Sequence, residues 1–236
     1  MKILYVFPHP DDESFGPARA IAAQVRGGHE VSLFTLTKGG ATRERHKFGY
    51  SIDQMGEVRF REMQQVSRVL GLSDLTVLDY PDSGLKDLDS RVLETAVSNH
   101  IASILPDIVV TYPVHGISGF HDHLVTHAVV KRVYSQMRDV PGTTLKRLAF
   151  FTLTQKQAGD GSGQHKLSNS STDEIDCLMT VSEEDMEAFR QALDCYVTYR
   201  DMIDKTGIKD SLSRAVAFEF FQESFDPPVH VIDAGL

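Results

Sequence analysis

The stretch PHPDDE, residues 8–13, places an imidazole and three carboxylates within five positions: His9, Asp11, Asp12 and Glu13. Such a cluster can hold a divalent cation, or move protons between paired carboxylates. A second stretch, TYPVHGISGFHDHLVTHAVV at 111–130, contributes His115, His121, Asp122, His123 and His127. A His and an Asp from the first stretch plus a His from the second form a three-ligand nitrogen and oxygen set, with the open position that catalytic zinc keeps. Each residue also has a structural reading. An Asp ahead of a helix is an ordinary cap, and acids in a first turn offset the helix dipole, which accounts for Asp12 and Glu13. It does not account for His9, whose flanking Pro8 and Pro10 stiffen the segment and aim its side chain. His127, four residues after His123, reads as a packed helix residue rather than a ligand.

The elements around these stretches alternate. Strands are expected at Lys2–Phe7, His29–Thr37, Leu75–Tyr80, Asp107–Tyr112 and Leu145–Thr154. Helices are expected at Glu13–Arg26, closed by Gly27 and Gly28, at Asp53–Leu70, at Ser90–Leu105, stopped by Pro106, and at His123–Met137. The apolar face of the second helix reads as Met55, Val58, Met63, Val66, Val69 and Leu70. This order predicts an α/β fold, a Rossmann-like, mainly parallel sheet with helices on both faces. In such a sheet ligands bind beyond the carboxyl ends of the strands, where both histidine-bearing stretches fall. The whole chain, 1–236, reads as one domain, with a core at 1–155 and a C-terminal part at 156–236 that adds further strands. There, QAGDGSGQHKLSNSSTDE at 157–174 reads as a flexible loop or lid. A strand at Ile175–Val181, a helix capped by Ser182 and running to about Tyr199, and a late strand at Ala215–Gln222 complete it.

Composition narrows the function. The 236 residues carry a net charge of −9, so no basic stripe is available to neutralise phosphates and a nucleic-acid partner is excluded. The cluster Arg43–Lys47 is short and interrupted by Glu44, as on a solvated loop. Cys177 and Cys195 form no CxxC pair and read as reduced thiols, with a structural disulfide between them as the alternative. The start, MKILYVFPHPDDE, has one lysine and a short apolar run ending in charge, the pattern of neither a signal peptide nor a membrane span, which needs about 18 apolar residues. The expected compartment is the cytoplasm.

The motifs resemble those of the LmbE-like or PIG-L-like de-N-acetylases, zinc hydrolases acting on N-acylated amino sugars. HPDDE at 9–13 matches that family's first motif completely, and SGFHDH at 118–123 resembles its SGHPDH. Between them, TLTKGG at 35–40 resembles the family's Thr-x-Gly loop, EVRFREMQQVSRVLGL at 57–72 its Arg-x-x-Glu helix, and LDYPDSGL at 78–85 its Asp-containing loop. The matches run in order over about the first 130 residues.

The resemblance implies that His9, Asp12 and His123 hold Zn2+, or another divalent ion such as Fe2+. It makes Asp11 the general base and Asp122 a carboxylate that orients a histidine, and puts Arg59 and Asp82 near the substrate. The implied substrate is an N-acetylglucosamine-type amino sugar or its glycoside, and the implied assembly a homo-oligomer. One departure concerns the general acid. The family's usual histidine falls at Phe120, which cannot transfer a proton. His121, His115, or Asp11 acting twice must then supply it. Two alternatives follow: a zinc hydrolase of another small N-acyl amide, or a catalytically impaired sugar-binding protein on the same fold. A further departure is CYVTY at 195–199, where many members carry His and Gln.

Overall fold

Strand β1 (Lys2–Phe7) is apolar or aromatic at every position after Lys2, and all of those positions are buried. Such a strand must be covered on both faces. The computed structural model, which describes residues 1–158 and 167–236, covers it so. After β1 come α1 (Asp12–Phe15), α2 (Ala18–Arg26), β2 (Glu30–Thr37), α3 (Arg45–Phe48), α4 (Ile52–Leu70), β3 (Asp74–Tyr80), α5 (Ser90–Ile104), β4 (Ile108–Thr111), α6 (His121–Met137), β5 (Arg147–Thr152) and α7 (Gln155–Ala158). The C-terminal part contains β6 (Cys177–Thr180), α8 (Glu183–Asp194), α9 (Arg200–Thr206), α10 (Ile208–Ser211) and β7 (Ala215–Phe220).

All seven strands share one sheet in the order β3-β2-β1-β4-β5-β7-β6. The first five are parallel, and β7 runs antiparallel to both β5 and β6. The chain winds outward from β1 through β2 to β3, then returns to β4 on the other side of β1, in the register Ile3 to Ile108 and Tyr5 to Val110. That reversal opens a crevice at the carboxyl ends of β1 and β4. Alternate β1 residues feed two cores. Ile3, Tyr5 and Phe7 pack with α2, α4 and α8, while Leu4 and Val6 pack with α5 and α6.

The fold class is the expected one; several strands are one or two residues shorter at an end than expected, and three helices differ in ways that bear on the site. The helix expected at Glu13–Arg26 is broken into α1 and α2, because Pro17 lacks the N–H that would continue it. Gly16 at the break lies so close to its neighbours that a Cβ there would meet Asp12 O at 2.6 Å and Phe151 Cε1 at 2.9 Å. Helix α6 starts two residues earlier than expected, with Phe120 as its cap and His121, Asp122 and His123 in its first turn. The helix expected to reach Tyr199 ends at Asp194, and a tight turn at Val197–Tyr199 follows. Of the expected loop at 157–174, residues 159–166 lie outside the described residues; Thr172–Glu174 form a short 3-10 turn. Cys177 is buried, Cys195 is half-buried, and both are free thiols. Among the described residues no helix is long and apolar enough to cross a membrane.

Candidate active site

The loops after β1, β3 and β4 meet at the crevice. Each contains a non-glycine residue with positive φ: Asp11 (91°), Ser83 (65°) and Ile117 (59°). Such conformations are strained, most of all for a β-branched residue, and persist only where the surroundings over-determine them.

The structure brings His9, Asp12 and His123 together, with one potential ligand atom from each lying within 4.8 Å of the others. Asp12 Oδ1 is 3.3 Å from His123 Nε2, and Asp12 Oδ2 is 3.6 Å from His9 Nδ1. Both imidazoles present a chosen nitrogen. His123 Nδ1 donates to Gly116 O at 2.9 Å, leaving Nε2 as the free lone pair. A side chain on Gly116 would crowd this ring, since its Cβ would lie 2.9 Å from that of His123. His9 turns Nε2 toward two carboxylates, Asp122 Oδ2 at 3.1 Å and Asp82 Oδ1 at 3.3 Å, which leaves Nδ1 facing Asp12. Asp12 is fixed by the Tyr112 hydroxyl on Oδ1 at 2.7 Å and by the His9 amide on Oδ2 at 2.8 Å. The Tyr112 ring stacks on His123 at a centroid distance of 4.2 Å.

A second carboxylate-rich set, His9 with Asp82 and Asp122, overlaps the first. Its acids accept from backbone amides, as Asp12 does from that of His9. Asp122 accepts from the Ser83 and Leu85 amides at 2.8 and 3.2 Å, and Asp82 from the Ala41 amide at 2.7 Å. The first set, two imidazoles and one carboxylate, offers more nitrogen than the second, one imidazole and two carboxylates, and is the better donor set for a zinc-like ion.

The titration of these groups follows from their surroundings. Burial works against protonation of His9, but the hydrogen bonds to Asp122 and Asp82 and the charge of Asp12 outweigh it and push its pKa up to about 10. Burial lowers His123, as does the charge of His9, which favours the neutral imidazole that binds metals. Burial and the Asp12 charge hold the Tyr112 hydroxyl well above its ordinary value, so it remains a donor. For Asp11, burial raises the carboxyl, Arg59 opposes, Asp12 adds to the rise, and the result is about 7. A carboxylate poised there suits a base working near neutrality.

Asp11 is held by Arg59, whose Nη2 donates to Asp11 Oδ2 at 2.7 Å and to Pro10 O, and whose Nη1 donates to Gly39 O at 2.7 Å. Arg59 is 2% exposed. The apolar pattern of α4 did not reveal this face, because Arg59 and Glu62 are buried on it alongside Met55 and Met63 while Val58 and Val69 are only half-buried. His121 is exposed in the first turn of α6. Phe120 is 52% exposed, its ring edge-on to His123 at 5.7 Å. His115 is tied elsewhere: Nδ1 accepts from the Ile117 amide at 3.1 Å, and Nε2 faces Ser170 Oγ at 3.5 Å. His127 is a packed residue, donating to Tyr112 O at 2.8 Å beside Phe150. Sequence reasoning missed Tyr112, Tyr196 and Gly116. The Gly-rich run around His115 was the one available signal for Gly116; CYVTY at 195–199 marked Tyr196 only as a departure from the family pattern, and nothing local marked Tyr112.

An α/β sheet with a His-Asp-His cluster at its switch point and a carboxylate beside it is an arrangement that could hold a divalent ion next to a base. The family comparison agrees. Residues 4–134, more than half of the chain, match PIG-L, described as GlcNAc-PI de-N-acetylase, and the chain belongs to that family. It is 31% identical over 152 residues to a 1D-myo-inositol 2-acetamido-2-deoxy-alpha-D-glucopyranoside deacetylase of Thermomonospora curvata, covering 56% of this chain and 51% of the relative. It is 28% identical over 139 residues to a probable N-acetyl-alpha-D-glucosaminyl L-malate deacetylase 2 of Bacillus subtilis, covering 58% and 62%. The matches to these relatives thus span about half to three-fifths of their lengths. In three dimensions the chain resembles the zinc-inhibited form of the teicoplanin deacetylase Orf2, with a TM-score of 0.66 at 14% identity, covering 93% of this chain and 97% of the other.

Proposed function

We propose that this chain is a metal-dependent de-N-acetylase that removes the acetyl group from an N-acetylglucosamine-type amino sugar or its glycoside, with zinc as the ion. The observation that carries the reading is the placement of Asp11 next to the oriented His9–Asp12–His123 set. The relatives named above supply the substrate class.

A divalent ion held by His9, Asp12 and His123 would supply Lewis acidity, polarising the amide carbonyl and acidifying the attacking water. Asp11 takes the proton from that water as its oxygen bonds to the carbonyl carbon. The C–N bond then breaks, the nitrogen takes a proton, and acetic acid and a free amine leave, the acid ionising to acetate in solution. Asp11, which has just received a proton, returns it to the amine in the primary assignment. His121 is the second candidate, because it is exposed in the turn that begins beside Phe120 and His123. Asp122 orients His9 and thereby sets which nitrogen faces the ion. Arg59 acts by holding Asp11, since both terminal nitrogens are occupied by the chain's own oxygens. Asp82, 10% exposed beside His9, is the residue of the β3 loop assigned to the substrate.

The test is acetate release from N-acetylglucosamine and a few of its glycosides, by protein stripped of metal and reloaded with Zn2+ or Fe2+. Release that returns with the ion is expected. Release only from amides without a sugar ring would move the substrate to another small N-acyl compound. Stoichiometric zinc with sugar binding and no turnover would make the chain a sugar-binding protein. His121→Ala and His115→Ala, compared at several pH values, locate the acid: its loss weakens the high-pH limb.

A further inference from the structure

Asp11 occupies a conformation that a non-glycine residue adopts only when held. Its φ of 91° carries a cost of about 1–3 kcal/mol. Each of its polar groups is engaged. Its carbonyl accepts from the Ser14 and Phe15 amides at 2.9 and 2.8 Å. Its carboxylate is held by Arg59. Its amide donates to the hydroxyl of Tyr196 at 2.7 Å, across 185 residues of chain. That hydroxyl in turn donates to Glu13 Oε1 at 2.7 Å, which also accepts from Ser14 Oγ at 2.7 Å.

The residues after Tyr196 converge on the same place. Thr198 gives its amide and its hydroxyl to Glu62 at 2.8 and 2.7 Å, one turn from Arg59 on α4. Tyr199 sets its ring 4.8 Å from the Arg59 guanidinium and donates its hydroxyl to Thr42 at 2.7 Å. One short turn therefore grips the amide of Asp11 directly and, through α4, the arginine that grips its carboxylate. Glu13 and Tyr196 are fully buried, and Glu13 Oε2 has no partner among the described residues. A carboxyl buried with one oxygen unpaired is unfavourable in itself. Its other oxygen is engaged in orienting Tyr196.

We propose that Tyr196, oriented by Glu13, is a positioning residue that aims Asp11, and that the turn 196–199, outside the family-matched residues 4–134, completes the catalytic site from the C-terminal part of the chain. This rests on Asp11 being the base. Tyr196 then acts on the rate alone, because it is fully buried and bonds to no proposed ligand atom.

The experiment compares Tyr196→Phe, Glu13→Gln and Glu13→Leu with the wild type, zinc-loaded, on N-acetylglucosamine. Two readouts are taken: kcat and KM, and hydrogen exchange of the Asp11 amide by NMR. Tyr196→Phe is expected to lower kcat by about 10- to 100-fold, the scale of a small misplacement of a reacting group. KM and bound zinc stay within about twofold, and Asp11 exchanges at least about 100-fold faster while β1 amides remain protected. Glu13→Gln, which keeps an acceptor for Tyr196, recovers most of the rate that Glu13→Leu loses. Unchanged kcat in Tyr196→Phe, or a rate loss explained by lost zinc, overturns the proposal. So does an Asp11 amide that stays protected. If the wild type releases no acetate, the hydrolase reading fails, while the exchange measurement still decides whether Tyr196 holds Asp11.

Discussion

Asp11→Asn separates chemistry from architecture. Asparagine is one of the few residues that adopts positive φ readily, so the 91° backbone is retained, as it would not be with alanine. The side chain keeps its shape and can still accept from Arg59 Nη2 through its carbonyl oxygen. Arg59 is not stranded, since Pro10 O and Gly39 O continue to accept from it. The lost charge has little net worth to folding: burial and Asp12 raise the Asp11 carboxyl to about 7 despite Arg59, so the ionised form is not favoured by its surroundings. The stability cost is therefore that of one weakened hydrogen bond, about 1 kcal/mol. The kinetic cost is far larger. A positioned base contributes about 100- to 10,000-fold, or about 3–5 kcal/mol of transition-state stabilisation at 1.36 kcal/mol per tenfold. The assay is single-substrate acetate release by zinc-reloaded protein, with metal content and chemical denaturation measured on the same sample. A variant that keeps its zinc, keeps its fold and loses at least about 100-fold in kcat is expected. Activity within tenfold of wild type refutes the base assignment, and loss of the ion would falsify the separation of Asp11 from the ligand set.

Asp122→Asn is expected to weaken metal binding by about 10- to 100-fold, because an amide NH2 must replace an acceptor facing His9, Ser83 or Leu85; competition against a chromophoric chelator measures it, and unaltered affinity removes Asp122 as the orienting group. Metal binding at pH 7 is expected to release about one proton: in the metal-free chain His9 is raised to about 10, so it carries a proton at pH 7 that the ion must displace, and affinity climbs as pH rises toward that value. Calorimetry in two buffers of different ionisation enthalpy reads the proton count, and a count of zero contradicts His9 as a ligand. Gly39→Ala places a Cβ 2.1 Å from Arg59 Nη1 at a φ of +65°; it is expected to destabilise the fold by about 1–3 kcal/mol and to lower turnover beyond that by displacing Arg59 from Asp11. A variant with wild-type melting and wild-type rate would show that the Arg59 clamp tolerates movement.

What the sequence by itself determined is local or periodic. The alternation of apolar strands with amphipathic helices predicted the parallel sheet, because a strand buried on both faces reads as a continuous apolar run whatever its neighbours are. Position after β1 and β4 then placed His9, Asp11, Asp12 and His123 at the crevice, because strand order puts those carboxyl ends side by side. The residues that hold them were less legible. Arg59 and Glu62 sit on the buried face of α4, where an amphipathic reading expects apolar side chains, because their partners, Asp11 and Thr198, lie far off in the chain. CYVTY at 195–199 read as the end of the helix capped by Ser182. Tertiary structure alone decided that the chain turns there, where Glu13, Glu62 and Arg59 each offer a partner that only folding brings within reach. A hydrogen bond across 185 residues leaves no trace in local spacing, so the chemistry was written in adjacent residues and its aim in contacts that exist only in the folded chain.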